Sequence, residues 1–194
     1  MKEQNIPSIP NSAQLEQELQ RERYKRRYRR TLKSTVFALV TVAAVAVLVA
    51  TLWLPVLQIY GVSMTPTLQE GEVVLSLKDS GFEQGDIVAF YYGNKLLVKR
   101  CIAGPGSWVD ITEDGTVLVD GEVLDEPYIT DKAFGICDIE LPYQVPEEKF
   151  FLLGDHRETS VDSRSSAIGC VAQEDIVGKI VFRVWPLENF GPIE

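Results

Sequence analysis

Twenty consecutive residues, Thr35 to Leu54 (TVFALVTVAAVAVLVATLWL), carry no charge. As a helix rising about 1.5 Å per residue, such a run spans roughly 30 Å, the thickness of a bilayer core. Asp, Glu, Lys and Arg are all missing from Ser34 through Gln69. A chain with this segment is expected to fall into a part before a membrane span and a part after it. The two flanks differ sharply in charge. Residues 1–33 hold nine Lys/Arg against four Glu, concentrated in RERYKRRYRR (21–30), whereas the whole chain carries a net charge of −9. By the positive-inside rule the N-terminus is cytoplasmic and the acidic C-terminal part extracytoplasmic. The basic run reads as a topology signal beside the lipid bilayer, not as a nucleic-acid site. Trp53 and Tyr60 suit the interface.

A cleavable secretory leader is the rival reading of the apolar run. Its length exceeds the usual h-region of about 7–15 residues, and the A-x-A pattern at Ala44–Ala46 lies inside it, not after it. The expected organisation is therefore a basic cytoplasmic arm (1–33), an uncleaved transmembrane anchor (34–57) and an extracytoplasmic domain (58–194). Within the arm, residues 12–30 are free of Gly and Pro and read as helix, NIPSIP (5–10) as disordered, and Pro55 as the stop of the span.

Beyond Pro55 the pattern changes to short β-type runs: 72–77, 86–92, 95–102, 116–124, 149–154 and 179–185, separated by Gly, Pro, Asn and Asp. Asp120–Gly121 between apolar residues is a two-residue hairpin turn. Residues 125–148 read as a long irregular connection. The expectation is one mainly β, antiparallel domain. Cys101, Cys137 and Cys170 lack CxxC spacing, and with one histidine the chain has too few ligands for a zinc site; no metal or organic cofactor is expected, and the cysteines read as inert.

Chemistry is narrowed by exclusion. The single histidine, His156, is preceded by Asp155, but neighbours on an extended strand point to opposite faces, so Asp155 is poorly placed to orient it. There is no GxSxG elbow, no SxxK pair and no phosphate loop. A serine with a lysine base remains. Such a lysine, ordinarily titrating near 10.4, has to be lowered by roughly 2–3 pH units, about 3–4 kcal/mol of bias against the ammonium. Of six lysines after the span, Lys99 and Lys179 lie in apolar strands: Lys99 alternates with Leu97 and Cys101, Lys179 with Val177 and Val181. Pattern leaves both open, and it leaves Ser63, Ser160 and Ser163 open as nucleophiles. Ser63 follows Leu54 by nine residues, so it lies within about 32 Å of the span's outer end, a reach suited to a membrane-held substrate.

Together, GVSMTPTL (61–68), GDIVAF (85–90), VKRCIAGPGS (98–107), GDHRETSVDSR (154–164) and VFRVWPLENFG (181–191), in this order after an N-terminal anchor, resemble the bacterial type I signal peptidases, in the compact form of Gram-positive bacteria. The resemblance implies a signal-peptidase/LexA-like antiparallel β-domain. It makes Ser63 the nucleophile, Lys99 the general base and the Ser63 backbone N–H an oxyanion donor. It also makes Ser160 the serine that orients the lysine, and Asp162 and Arg164 a structural ion pair. The implied substrates are secretory preproteins cut after A-x-A-like sites, at the membrane and near the secretion translocon. Two positions depart from the family pattern. His156 stands where Asn is usual and reads as a tolerated polar variant. Gly61 stands where some relatives carry a second oxyanion donor. The rivals are a LexA-like Ser-Lys peptidase, disfavoured by the span, and a non-catalytic anchored β-domain binding envelope partners, disfavoured by the intact Ser63, Lys99 and Ser160.

Overall fold

The computed structural model describes residues 11–78 and 80–193. The segment 5–10, expected to be disordered, lies outside them. The chain divides into two units, residues 1–49 and 50–194.

The two helical stretches expected at 12–30 and 35–54 are one helix, α1 (Ser12–Trp53). The physical reason is continuity: neither Gly nor Pro occurs between Ser12 and Leu54, so nothing interrupts the i→i−4 ladder until Pro55. At its start, the Asn11 carbonyl accepts from the N–H groups of Gln14 and Leu15 (2.9 and 3.1 Å). Gln14 Oε1 in turn accepts the Asn11 N–H at 3.1 Å, one half of a capping box. The 42 residues extend about 63 Å, more than the apolar part needs to cross a bilayer. Every residue of α1 is exposed, and the helix is long and apolar enough to span a membrane.

Residues from 50 onward form antiparallel sheets. The strands are β1 (Val56–Gln58), β2 (Val73–Lys78), β3 (Ile87–Tyr92), β4 (Lys95–Ala103), β5 (Trp108–Ile111), β6 (Val117–Val119), β7 (Glu122–Val123), β8 (Tyr143–Gln144), β9 (Lys149–Leu153), β10 (Val171–Ala172), β11 (Ile176–Trp185) and β12 (Gly191–Pro192). The larger sheet runs β1-β2-β11-β3-β4-β9-β10, with β12 added on β11; the smaller runs β7-β6-β5-β8. All six expected β-type runs are strands, the fourth of them split into β6 and β7 by its turn. That turn has Asp120 and Gly121 both at positive φ (53° and 84°), the geometry of a tight hairpin, with Leu118 opposite Val123. The connection 125–148 is irregular as expected apart from β8.

Period-two alternation builds the core on both faces of the large sheet. On β3, Ile87 and Ala89 join Met64, Leu68, Val74 and Ile180 on one face, while Val88 and Phe90 join Cys101, Leu152 and Val171 on the other. Burial on both faces follows from the central place of β3 between β11 and β4, and explains why IVAF reads as an unbroken apolar run. The small sheet covers the ends of β4 and β9 through Val109, Ile111 and Val117 against Ile102, Phe151 and Leu153.

Candidate active site

Ser63 sits in the turn between β1 and β2, and Lys99 on β4 opposite Val88. Although 36 residues apart, they meet: Lys99 Nζ lies 2.6 Å from Ser63 Oγ. Lys99 is only 4 % exposed, and Ser63 Oγ is the one acceptor that its three-donor head group has among the described residues. Burial brings its pKa down from the ordinary 10.5 to about 8; the carboxylates of Asp162 and Asp155 pull it back up, and the Arg164 guanidinium pushes it further down. Lys179 differs in every respect. It is partly exposed and its ammonium pairs with Asp86 at 2.7 Å. Of the two lysines that alternation left open, Lys99 is the desolvated one beside a serine hydroxyl.

The three candidate serines differ in their surroundings as well. Ser163 Oγ accepts the Leu152 N–H at 2.9 Å, and its own N–H donates to the Leu152 carbonyl at 3.0 Å, so this serine is consumed in fastening its segment to β9. Ser160 is completely buried, and its hydroxyl has no hydrogen-bond partner among the described residues. The Ser160–Lys99 hydrogen bond implied by the family resemblance is therefore not formed in this structure. Ser160 nevertheless stands against the nucleophile loop: a Cβ on Gly154 would fall 2.2 Å from Ser160 Oγ and 2.6 Å from the Ser63 carbonyl oxygen. Only a glycine lets these two groups approach so closely. The Ser63 carbonyl is held by the His156 N–H at 3.1 Å, while the Ser63 N–H has no acceptor among the described residues.

Asp162 and Arg164 form a completely buried, two-pronged ion pair, Nε to Oδ1 and Nη2 to Oδ2, both 2.8 Å. The remaining donors of Arg164 go to the carbonyls of Phe134 (2.7 Å), Arg157 (2.8 Å) and Ser160 (3.4 Å), and Asp162 Oδ2 accepts the Gly154 N–H (3.0 Å). One ion pair thus ties together Gly154, Ser160 and the irregular connection. Removing one partner of such a pair leaves an uncompensated buried charge, at a cost of about 3–5 kcal/mol.

Two further buried pairs were not singled out in the sequence. Arg100 grips Asp155 through Nε–Oδ1 (3.0 Å) and Nη2–Oδ2 (2.8 Å), and Asp155 also accepts from Thr67 Oγ1 (2.5 Å), four residues after the nucleophile. This is why Asp155 does not serve His156, whose Nδ1 lies 2.8 Å from Thr159 Oγ1 instead. Arg157 pairs with Glu126, and the Tyr128 ring lies under Arg100, 3.7 Å from ring centre to guanidinium carbon. The available signal was chemical: consecutive cations, Lys99–Arg100, inside an apolar strand demand distant carboxylates. Which carboxylates, only the fold decides. All three cysteines are free, and burial pushes the Cys101 thiol up to about 12, in keeping with an inert role.

A cleft of about 80 Å³ runs along the pair, lined by Gln58–Gly61, Ser63 and Met64 on one side and Leu96–Lys99 on the other. Residues 95–99 of β4 pair with β3, whereas the pairing with β9 begins only at Arg100, so the backbone edge of 96–99 facing away from β3 is unpaired by β9. Among the described residues no cluster of potential metal ligands occurs.

A serine hydroxyl, a buried lysine of lowered pKa and a narrow cleft beside them are the parts of a peptide-bond hydrolase. In agreement, the family model described as "Signal peptidase, peptidase S26" matches residues 32–185. The chain belongs to this family. Signal peptidase IB of Staphylococcus aureus (strain Mu50) is 38% identical over 152 residues, covering 68% of this chain and 78% of the relative. Signal peptidase I of Bacillus licheniformis is 30% identical over 165 residues, covering 78% and 88% respectively. Among solved structures, a signal peptidase I from Enterococcus faecalis V583 aligns with 28% identity and a TM-score of 0.42, over 52% of this chain and 97% of that one. As a member of the signal peptidase family, the chain is a serine peptidase whose reaction removes signal peptides. The matched region takes in the apolar stretch of α1 and every residue of the pair and its buried supports.

Proposed function

We propose that this signal peptidase works through a Ser63–Lys99 dyad, cutting preproteins after small-residue, A-x-A-like sites on the outer side of the membrane. The observation that carries the reading is the 2.6 Å contact between Ser63 Oγ and a lysine whose pKa burial lowers to about 8. At pH 7 about one such lysine in ten is neutral, against about one in 3,000 for an unperturbed lysine near 10.5. The neutral amine accepts the Ser63 proton as Oγ attacks the scissile carbonyl carbon. The oxyanion is met by the free Ser63 N–H. Collapse of the tetrahedral species expels the mature chain's amine, which takes the proton back from Lys99, and leaves the signal peptide esterified to Ser63. Lys99 then deprotonates a water, which hydrolyses the ester and restores both groups.

Asp162 and Arg164 act as supports in this scheme, and Ser160 orients Lys99 once the pair is engaged with substrate. The cleft supports the specificity: at about 80 Å³, with Ile59, Met64, Leu96 and Val98 among its lining, it suits small side chains preceding the cut. The unpaired edge at 96–99 supports substrate binding as an added strand. Topology follows from charge. The basic residues 21–33 keep the N-terminus in the cytoplasm, α1 crosses the bilayer, and the domain works where translocated chains leave the translocon.

The test is cleavage of a precursor bearing an A-x-A site by the detergent-solubilised chain. Ser63→Ala and Lys99→Ala each abolish cleavage while the fold persists by circular dichroism. Cleavage surviving Lys99→Ala would remove the dyad from the account.

A further inference from the structure

Two concavities adjoin the nucleophile loop, and Ser63 lines the first of them. The first is the cleft lined by residues that precede Ser63 and by the lysine strand. The second, of about 140 Å³, is lined by Thr65, two residues after the nucleophile, by residues 130–133 of the irregular connection, and by 155–158. Its floor is tied directly to the nucleophile, because the backbone N–H of His156 holds the Ser63 carbonyl. The second cavity opens on the residues that follow Ser63 and on the segment that grips its carbonyl.

The charges in this cavity are not equivalent. Asp155 and Arg157 are neutralised by Arg100 and Glu126. Lys132 directs its ammonium to Thr116 Oγ1 at 3.2 Å. Asp131 and Glu158 are exposed and have no ion-pair or hydrogen-bond partner among the described residues. The His156 ring, fixed through Nδ1 by Thr159, offers Nε2 as a further polar group. The cavity is thus a polar recess whose rim carries two carboxylates without ion-pair partners against one ammonium.

We propose that this recess is the subsite for the first residues of the mature chain, and that Asp131 and Glu158 make it favour a basic over an acidic side chain there. The inference rests on the Ser63–Lys99 reading, since it places the leaving segment relative to that pair. Two exposed carboxylates acting on one peptide charge at this distance from solvent amount to a preference of about two- to fivefold.

The experiment compares precursor peptides identical through the A-x-A site and differing only in the first two mature residues, Lys-Lys against Glu-Glu. The full-length enzyme in detergent is expected to cleave the basic peptide with a kcat/KM about two- to fivefold higher. Asp131→Asn with Glu158→Gln brings the ratio close to one, and Glu158→Lys inverts it. Glu174→Gln, a charge removed on an exposed turn elsewhere, leaves the ratio unchanged. A wild-type ratio of one, a ratio that persists in the double variant, or an equal change in Glu174→Gln would each overturn the subsite. Failure of the dyad reading shows separately, as cleavage of either peptide that survives Ser63→Ala.

Discussion

Burying the Lys99 ammonium lowers its pKa at the expense of stability, and Lys99→Met exposes the cost. Burial lowers its pKa from 10.5 to about 8, which at about 1.4 kcal/mol per pH unit is a penalty of about 3 kcal/mol. Below pH 8 the lysine is protonated both folded and unfolded, so wild type carries the full penalty. Between pH 8 and 10.5 the folded protein has lost the proton while the unfolded chain still binds it, and the penalty disappears. Methionine matches the length and apolar stem of lysine and brings no charge to bury. The variant forfeits the contact to Ser63 Oγ, on a residue that is only half-buried. The expected result is an inactive protein, more stable than wild type by about 1–3 kcal/mol at pH 7, with the advantage vanishing by about pH 10.5. Urea unfolding of the detergent-solubilised chains, followed by near-ultraviolet circular dichroism at both pH values, reads the difference directly. Taking the difference between the two proteins cancels the other groups that titrate at high pH. A variant no more stable at pH 7, or a gap that does not close on raising the pH, would refute the claim that desolvation tunes this lysine.

Two other substitutions probe the packing around the pair. Gly154→Ala puts a methyl 2.2 Å from Ser160 Oγ and 2.6 Å from the Ser63 carbonyl oxygen, so the nucleophile loop has to shift. Cleavage is expected to fall about 100-fold or more, since displacing reacting groups by about 1 Å costs that much, and wild-type turnover would contradict the close approach. Ser160→Ala removes a buried hydroxyl that has no partner, so thermal stability is expected to hold or rise. Its cleavage rate is expected to fall at least about tenfold, as loss of an orienting group within a proton-transfer pair does. Lowered stability with unchanged kcat would assign Ser160 to structure alone.

The parts of this molecule with strong local signatures were legible from the residues. An uninterrupted apolar run, alternating strands and an Asp-Gly turn each state their own geometry through local sterics and burial. The continuity of α1 was legible too in the missing Gly and Pro, yet the change from basic to apolar residues invites a break that the backbone has no reason to make. The two- and three-residue strands β1, β8, β10 and β12 are each paired with a longer neighbour and carry little pattern of their own. At the site, Ser63 and Lys99 could be narrowed by exclusion but joined only through resemblance, because 36 residues of chain separate them. Ser163 looked as eligible as Ser63 until its backbone pairing with Leu152 appeared. The buried supports were the least visible. Arg100 with Asp155 and Arg157 with Glu126 are separated by 55 and 31 residues, and a charge in a strand says only that a partner exists. Tertiary topology alone chooses it.

The central claim is that Lys99, and no other group, is the base. The pH dependence of kcat/KM for an A-x-A precursor tests it most directly, because this quantity reports the essential ionisations of the free enzyme. A rising limb is expected with its midpoint near 8, the value to which burial brings Lys99, unchanged in His156→Asn. A midpoint between about 6 and 7 that disappears in His156→Asn would contradict it and transfer the proton to the histidine.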